Sequence, residues 1–156
     1  MQQLCRVAVL SILCLAAATS PAAADPRNAD MDNWSAGKLR ARGEEALSLR
    51  QYDDALLYYN KAATKEPGNA TNYFKLYKVH SRMRRFMDAL GDLTKALEVD
   101  PSNLDYRTQK AKLLKSLGQC DQAVIELQQI SDPPADVREL MDESKQCERD
   151  IAQAQA

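Results

Sequence analysis

Apolar and small residues recur along this chain with helical spacing. Leu39, Gly43 and Ala46 fall at i, i+4 and i+7, one face of a helix. Ala55, Leu56, Tyr59 and Ala62 form a second stripe, and Arg50-Gln51 breaks the chain between the two. The pattern then returns. Ala55, Ala89 and Ala123 are spaced by 34 residues, as are Tyr59, Leu93 and Leu127, and Tyr52, Phe86 and Cys120. The segments DDALLYYNKA, MDALGDLTKA and DQAVIELQQI align without a gap. Pro67 and Pro101 follow the second stripes, where proline stops a helix rather than kinking it. Gly118 marks the turn inside the third copy. The period predicts three helix–turn–helix repeats over 36–69, 70–103 and 104–137.

The third copy departs from the pattern. Ala111 stands where the first copy has Gly43, and Pro133-Pro134 arrive early, with Ala135 at the usual proline place, which predicts a distorted turn. A last helix is expected over 138–156, as a cap with a polar outer face. Val137, Leu140, Met141, Cys147 and Ile151 lie along one face of it or just ahead of it.

The N-terminus has a different pattern. Arg6 precedes an apolar run from Val7 to Ala18, and small residues follow, ending Ala22-Ala23-Ala24 before Asp25. That is the form of a secretory signal peptide, expected over 1–24. The run is shorter than the about 20 residues a membrane span needs, so an uncleaved anchor is the weaker reading. Residues 25–35 are expected to be a flexible tail. No later apolar run reaches spanning length, so no membrane span is expected after cleavage. The expected location is the secretory pathway, foremost the endoplasmic reticulum lumen, with a secreted or periplasmic protein as the alternative. Asn33 and Asn69 head N-x-S/T sequons and are candidate glycosylation sites in a eukaryotic host.

Composition narrows the chemistry. The chain has 156 residues, 45% hydrophobic and 28% charged, with formal net charge −1. Five glycines and six prolines in so many Ala, Leu, Lys, Gln and Glu residues favour an all-α fold. The near-neutral total excludes a strongly basic nucleic-acid binder. One histidine, His80, leaves little material for histidine catalysis or a multi-histidine metal site. It reads as a half-buried, hydrogen-bonded packing residue. No phosphate loop, zinc pattern or calcium loop appears, so no cofactor, metal or enzymatic activity is expected. Charge is uneven: residues 71–118 hold 10 Lys and Arg against 5 Asp and Glu, whereas 119–156 hold 3 against 9. An acidic partner would be steered to the middle of the chain.

The 34-residue period and the residues that carry it resemble the tetratricopeptide repeat (TPR) family. The resemblance covers 36–137 and implies an all-α solenoid of three antiparallel helix pairs with a C-terminal capping helix. It implies a concave groove lined by the first helix of each pair, holding extended peptides. The matching groove positions are Arg40, Glu44 and Leu47, then Tyr73, Phe74, Lys78 and Ser81, then Thr108, Lys112 and Lys115. Three repeats with a cap imply a monomer. A well-known use of such arrays is a two-carboxylate clamp for acidic chaperone tails. It needs Lys and Asn on the first helix, Asn on the third, and Lys and Arg on the fifth. Here those places hold Arg40, Glu44, Lys75, Asp105 and Gln109. Only Arg40 keeps the required charge, and Glu44 and Asp105 would repel a carboxylate, so the clamp is rejected.

Cys120 and Cys147 lie about 13 residues before and after the turn near 133–134, which puts them level on an antiparallel helix pair. They are read as a disulfide clipping the cap to the third repeat, with two small buried thiols as the alternative.

The stretch DALGDLTKALEVDPSNLDYRTQKAKLLKSLGQCDQAVIEL, following a signal peptide, resembles the N-terminal repeat block of endoplasmic-reticulum DnaJ-type co-chaperones, the eIF2α-kinase-inhibitor family. That resemblance implies binding of unfolded polypeptides through an apolar groove patch, here Leu47, Tyr73 and Phe74. The family's J domain needs a His-Pro-Asp tripeptide, and His80 is followed by Ser81-Arg82. Any link to a lumenal Hsp70 system is therefore indirect. The leading expectation is a client-binding co-chaperone module, and the alternative is an adaptor that recruits one partner.

Overall fold

The computed structural model describes residues 30–154. The expected signal peptide lies outside the described residues, as do positions 25–29 of the expected tail. The chain divides into two units between Trp34 and Ser35. In the first, the chain turns at Asp30–Trp34, where Asn33 N donates to Asp30 O at 3.2 Å and Trp34 N to Met31 O at 3.1 Å. Met31 is buried. These residues fall in the stretch expected as a flexible tail over 25–35.

The second unit is built from α1 (Ala36–Ser48), α2 (Tyr52–Lys65), α3 (Ala70–Arg82), α4 (Phe86–Val99), α5 (Leu104–Ser116), α6 (Cys120–Gln128) and α7 (Ala135–Ala154). Among the described residues there is no strand, and no helix is long and apolar enough to cross a membrane. Each helix packs on the next, and α7 packs on both α5 and α6. This is a solenoid of three helix pairs with a capping helix.

The helix ends repeat with the same period as the core. Ser35, Asn69 and Asn103 are the N-caps of α1, α3 and α5, accepting from Lys38 N, Thr71 N and Tyr106 N at 3.2, 3.1 and 3.2 Å. Each of these helices closes on a left-handed residue: Arg50 (φ 59°), Arg84 (φ 59°) and Gly118 (φ 75°). The next residues, Gln51, Arg85 and Gln119, donate back to Ala46, His80 and Leu114 at 2.9, 2.9 and 3.0 Å. That is a Schellman closure, repeated three times. The second helices open without a side-chain cap. They carry Asp53, Asp54, Asp88 and Asp121 in their first turns, facing the positive end of the helix dipole.

The core is continuous from repeat to repeat. Ala46, Ala55 and Tyr59 pack with Leu76 and Val79 of the next pair. Ala89, Leu93 and Ala96 pack with Tyr106 and Leu113. Ala111, Leu114, Ala123 and Leu127 pack with Val137 and Leu140 of the cap. The three repeat alanines 55, 89 and 123 are fully buried, where a larger residue would push the paired helices apart.

Two expectations are corrected at the C-terminal end. The cap helix begins at Ala135, not 138, and α6 is nine residues long against fourteen in α2 and α4. The proline pair follows the end of α6 at Gln128 and suits the entry to a new helix, where Pro134 O accepts from Val137 N at 3.1 Å and Arg138 N at 3.0 Å. The apolar stripe of the cap also ends early. Val137 and Leu140 are buried, whereas Ile151, 36% exposed, is left facing water.

Candidate functional site

The first helices of the three pairs supply the walls of a cavity of about 400 Å³. Leu47 comes from α1; Phe74, Tyr77, Lys78, Ser81 and Arg82 from α3; Asp105 and Gln109 from α5. The α3 residues follow helical spacing, so one face of that helix forms the longest wall. The Phe74 ring stacks on Tyr77 at 5.4 Å between centroids and leans on Tyr106 at 4.8 Å. Lys78 Nζ sits 4.8 Å over the Phe74 ring. Tyr77 Oη donates to Gln109 Oε1 at 3.2 Å, and Gln109 Nε2 donates to Asp105 Oδ1 at 3.4 Å. Burial pushes the Tyr77 phenol up; Ser81 beside it pulls the other way, and the Asp105 charge adds to the rise.

Of the groove residues expected from sequence, Leu47, Phe74, Lys78 and Ser81 come together in this cavity. The others have different placements. Arg40 Nη1 bonds Glu66 Oε2 at 2.6 Å and Asn72 Oδ1 at 3.2 Å, tying α1 to the loop before α3. Arg40, with Asn69 after it, holds the Glu66 carboxyl below the usual carboxylate range. Glu44 pairs with Lys75, and Lys115 with Glu143 of the cap. Tyr73 packs into the cores of the first two repeats and donates to Pro67 O at 3.3 Å. Thr108 is buried, its Oγ1 donating to Leu104 O at 2.7 Å, and so does not line the groove. Lys112 is exposed on α5, outside the cavity lining.

Tyr77 and Arg82 are not among the groove residues expected from sequence, whereas Asp105 and Gln109 occupy the two clamp positions named for the fifth helix. Tyr77 carried a signal: it stands at the repeat position of Gly43 and Ala111, where a small residue is expected. Leu93 in place of Tyr59 leaves room for the larger ring at 77, and Tyr77 packs against the cluster containing Leu93.

At the clamp positions both cations are engaged within the chain, Arg40 by Glu66 and Lys75 by Glu44. Elsewhere in the basic middle, Arg107 and Lys110 share Glu126 at 3.2 and 2.6 Å, and Arg85 holds Asp88 at 2.7 Å. Lys78 and Arg82 make no ion pair among the described residues.

His80 Nδ1 lies 2.6 Å from Asp92 Oδ2, a pair 13% and 10% exposed that ties α3 to α4. Burial pushes the Asp92 carboxyl up, against the pull of His80. Cys120 and Cys147 are bonded, with Cα atoms 5.9 Å apart, joining the start of α6 to α7. Asn33 is exposed. Asn69 has its oxygen on Thr71 N and its amide nitrogen on Glu66 Oε2 at 3.0 Å, so a glycan there would compete with the turn that starts α3. Among the described residues, no cluster of His, Cys, Asp or Glu could hold a metal ion.

The family model described as "Anaphase-promoting complex, cyclosome, subunit 3" matches residues 48–130. The chain is 29% identical over 98 residues to sperm-associated antigen 1 of Rattus norvegicus, covering 63% of this chain and 11% of that protein. It is 24% identical over 130 residues to the Hsp70-Hsp90 organizing protein of Triticum aestivum, covering 83% of this chain and 21% of that protein. The chain thus spans about a tenth to a fifth of the length of these relatives. Among solved structures, the first TPR of Spaghetti (RPAP3), bound to the HSP90 peptide SRMEEVD, superposes with a TM-score of 0.62 at 16% identity, covering 72% of this chain and 94% of that one. That likeness establishes the tetratricopeptide fold.

Proposed function

Because the chain belongs to the family described as anaphase-promoting complex, cyclosome, subunit 3, and folds as a tetratricopeptide array, we propose that it is a non-catalytic interaction module holding unfolded or extended polypeptide in its concave groove. The carrying observation is the cavity whose floor is Leu47, Phe74 and Tyr77 and whose rim is charged. An extended chain has no internal hydrogen bonds and alternates its side chains. A groove with an aromatic floor and polar edges takes one side chain in and leaves the next in water.

The working role is that of a co-chaperone in the secretory pathway. The N-terminal signal pattern and the cysteine pair support the compartment. The similarity to the Hsp70-Hsp90 organizing protein supports the chaperone role. The second reading is an adaptor for one partner, which the description of the family as a subunit of a complex favours.

Binding of the purified chain to a permanently unfolded polypeptide, compared with the native form of that polypeptide, tests the proposal. The expected result is preference for the unfolded form, weakened by Phe74→Ser with helix content unchanged by circular dichroism. Leu47→Ser, from a different helix, should weaken it in the same direction. Equal binding by the parent and both variants would remove the groove from the function. Binding of neither form would favour the adaptor.

A further inference from the structure

The charges around the cavity give it a preference that the aromatic floor alone lacks. Lys78 and Arg82 stand one turn apart on α3 and make no ion pair among the described residues. Facing them across the cavity is Asp105 of α5, which accepts a hydrogen bond from the amide of Gln109. The cations that could have gripped a chain terminus, Arg40 and Lys75, are consumed by Glu66 and Glu44. The open positive charge is therefore on one wall, in the middle repeat, with a negative charge opposite.

From this arrangement, and resting on the groove reading above, we propose that the preferred ligand is an extended segment carrying a large apolar side chain with a single acidic side chain within two residues of it. The segment is internal to its polypeptide. The apolar side chain sits on Phe74 and Leu47, and the carboxylate meets Lys78 and Arg82. Phe74 and Lys78 are four residues apart, about 6 Å along the helix, which is the span of two residues of extended chain. Asp105 selects against a second carboxylate on the opposite wall, whether from a neighbouring acidic residue or from a chain end. The middle repeat is flanked on both sides by further repeats, so a peptide can run past it in either direction.

Isothermal titration of the chain with end-blocked peptides tests this. The probes are Ac-GSFGEGSG-amide and its Gln and Lys counterparts at the acidic position, with SRMEEVD as the multiply acidic peptide with a free end. The Glu peptide should bind about threefold to tenfold more tightly than the Gln peptide, and the Lys peptide more weakly still. Arg82→Glu should erase the Glu–Gln difference with helix content by circular dichroism unchanged, because Arg82 is exposed and outside the core. Asp105→Asn should improve SRMEEVD more than the single-acid peptide. Equal binding of the Glu and Gln peptides, both lost in Phe74→Ser, overturns the charge preference and leaves the groove reading standing. Tighter binding of SRMEEVD than of the Glu peptide also overturns it. No binding of any probe, or self-association of the chain abolished by Phe74→Ser, overturns both.

Discussion

The ring of Tyr59 lies directly against the backbone of Gly43. A Cβ at position 43 would come within 2.5 Å of Tyr59 Cε1 and 2.7 Å of Cζ. The ring is fully buried, and burial pushes its phenol up, with the charge of Glu44 adding to the rise. Gly43→Ala therefore forces a rigid ring, not a flexible chain end, to move. The expected cost is about 1–3 kcal/mol, read as a lower urea midpoint. Gly43→Ala combined with Tyr59→Leu recreates the pairing of Ala111 with Leu127 found in the third repeat and should recover part of the loss. An unchanged midpoint in the single variant would contradict the close approach.

The three left-handed positions make a matched set. Arg50 and Arg84 carry side chains at φ 59°, where Gly118 has none at φ 75°. A side chain in that region costs roughly 1 kcal/mol, partly offset because glycine leaves the unfolded chain freer. Arg50→Gly and Arg84→Gly should each raise stability by a few tenths to about 1 kcal/mol. Gly118→Ala should lower it by about 1 kcal/mol although no atom lies within 4 Å of its added Cβ. Denaturant titration of the three variants measures both signs.

The cap depends on its covalent tie. The Cys120–Cys147 bond closes a loop with a sequence separation of 27, worth about 3.5 kcal/mol in the chain-entropy model. Cys147→Ser should lower the thermal midpoint and speed amide exchange along α7 more than along α3. Equal protection of α7 in the parent and the variant would mean that Val137 and Leu140 hold the helix unaided.

Asp92 carries a pH dependence whose sign follows from its burial. Its carboxyl is raised above the ordinary value of 3.8, chiefly by desolvation. The folded chain therefore binds this proton more tightly than the unfolded one. The contribution is fully present below the ordinary carboxylate range and is lost as pH rises through the raised value. Asp92→Asn should remove that part of the slope in a pH series of urea midpoints. The same slope in the variant would assign the effect to another group.

Much of this architecture was legible because a repeat states its own rule several times. Ala55, Ala89 and Ala123 mark the helix approach, and Pro67 and Pro101 mark the exits. The N-caps Ser35, Asn69 and Asn103 keep the same spacing and could have been read in advance. The groove was legible only in part. Helical phase identifies the face on which Phe74, Lys78 and Ser81 lie, since that depends on one helix alone. It does not reveal that Arg40 and Lys75 are neutralised from other elements, or that Thr108 turns into the core.

Helix positions, turns, caps and the order of the repeats are thus written locally and periodically in the chain, because contacts within about one repeat set them. Which charges stay open to a ligand depends on packing between repeats. Lys78 and Lys75 are the same residue type three positions apart on one helix, yet only Lys75 meets a carboxylate, Glu44 of the preceding pair. Ion pairing depends on distances of a few ångströms between elements distant in sequence, and only the packed solenoid sets those distances.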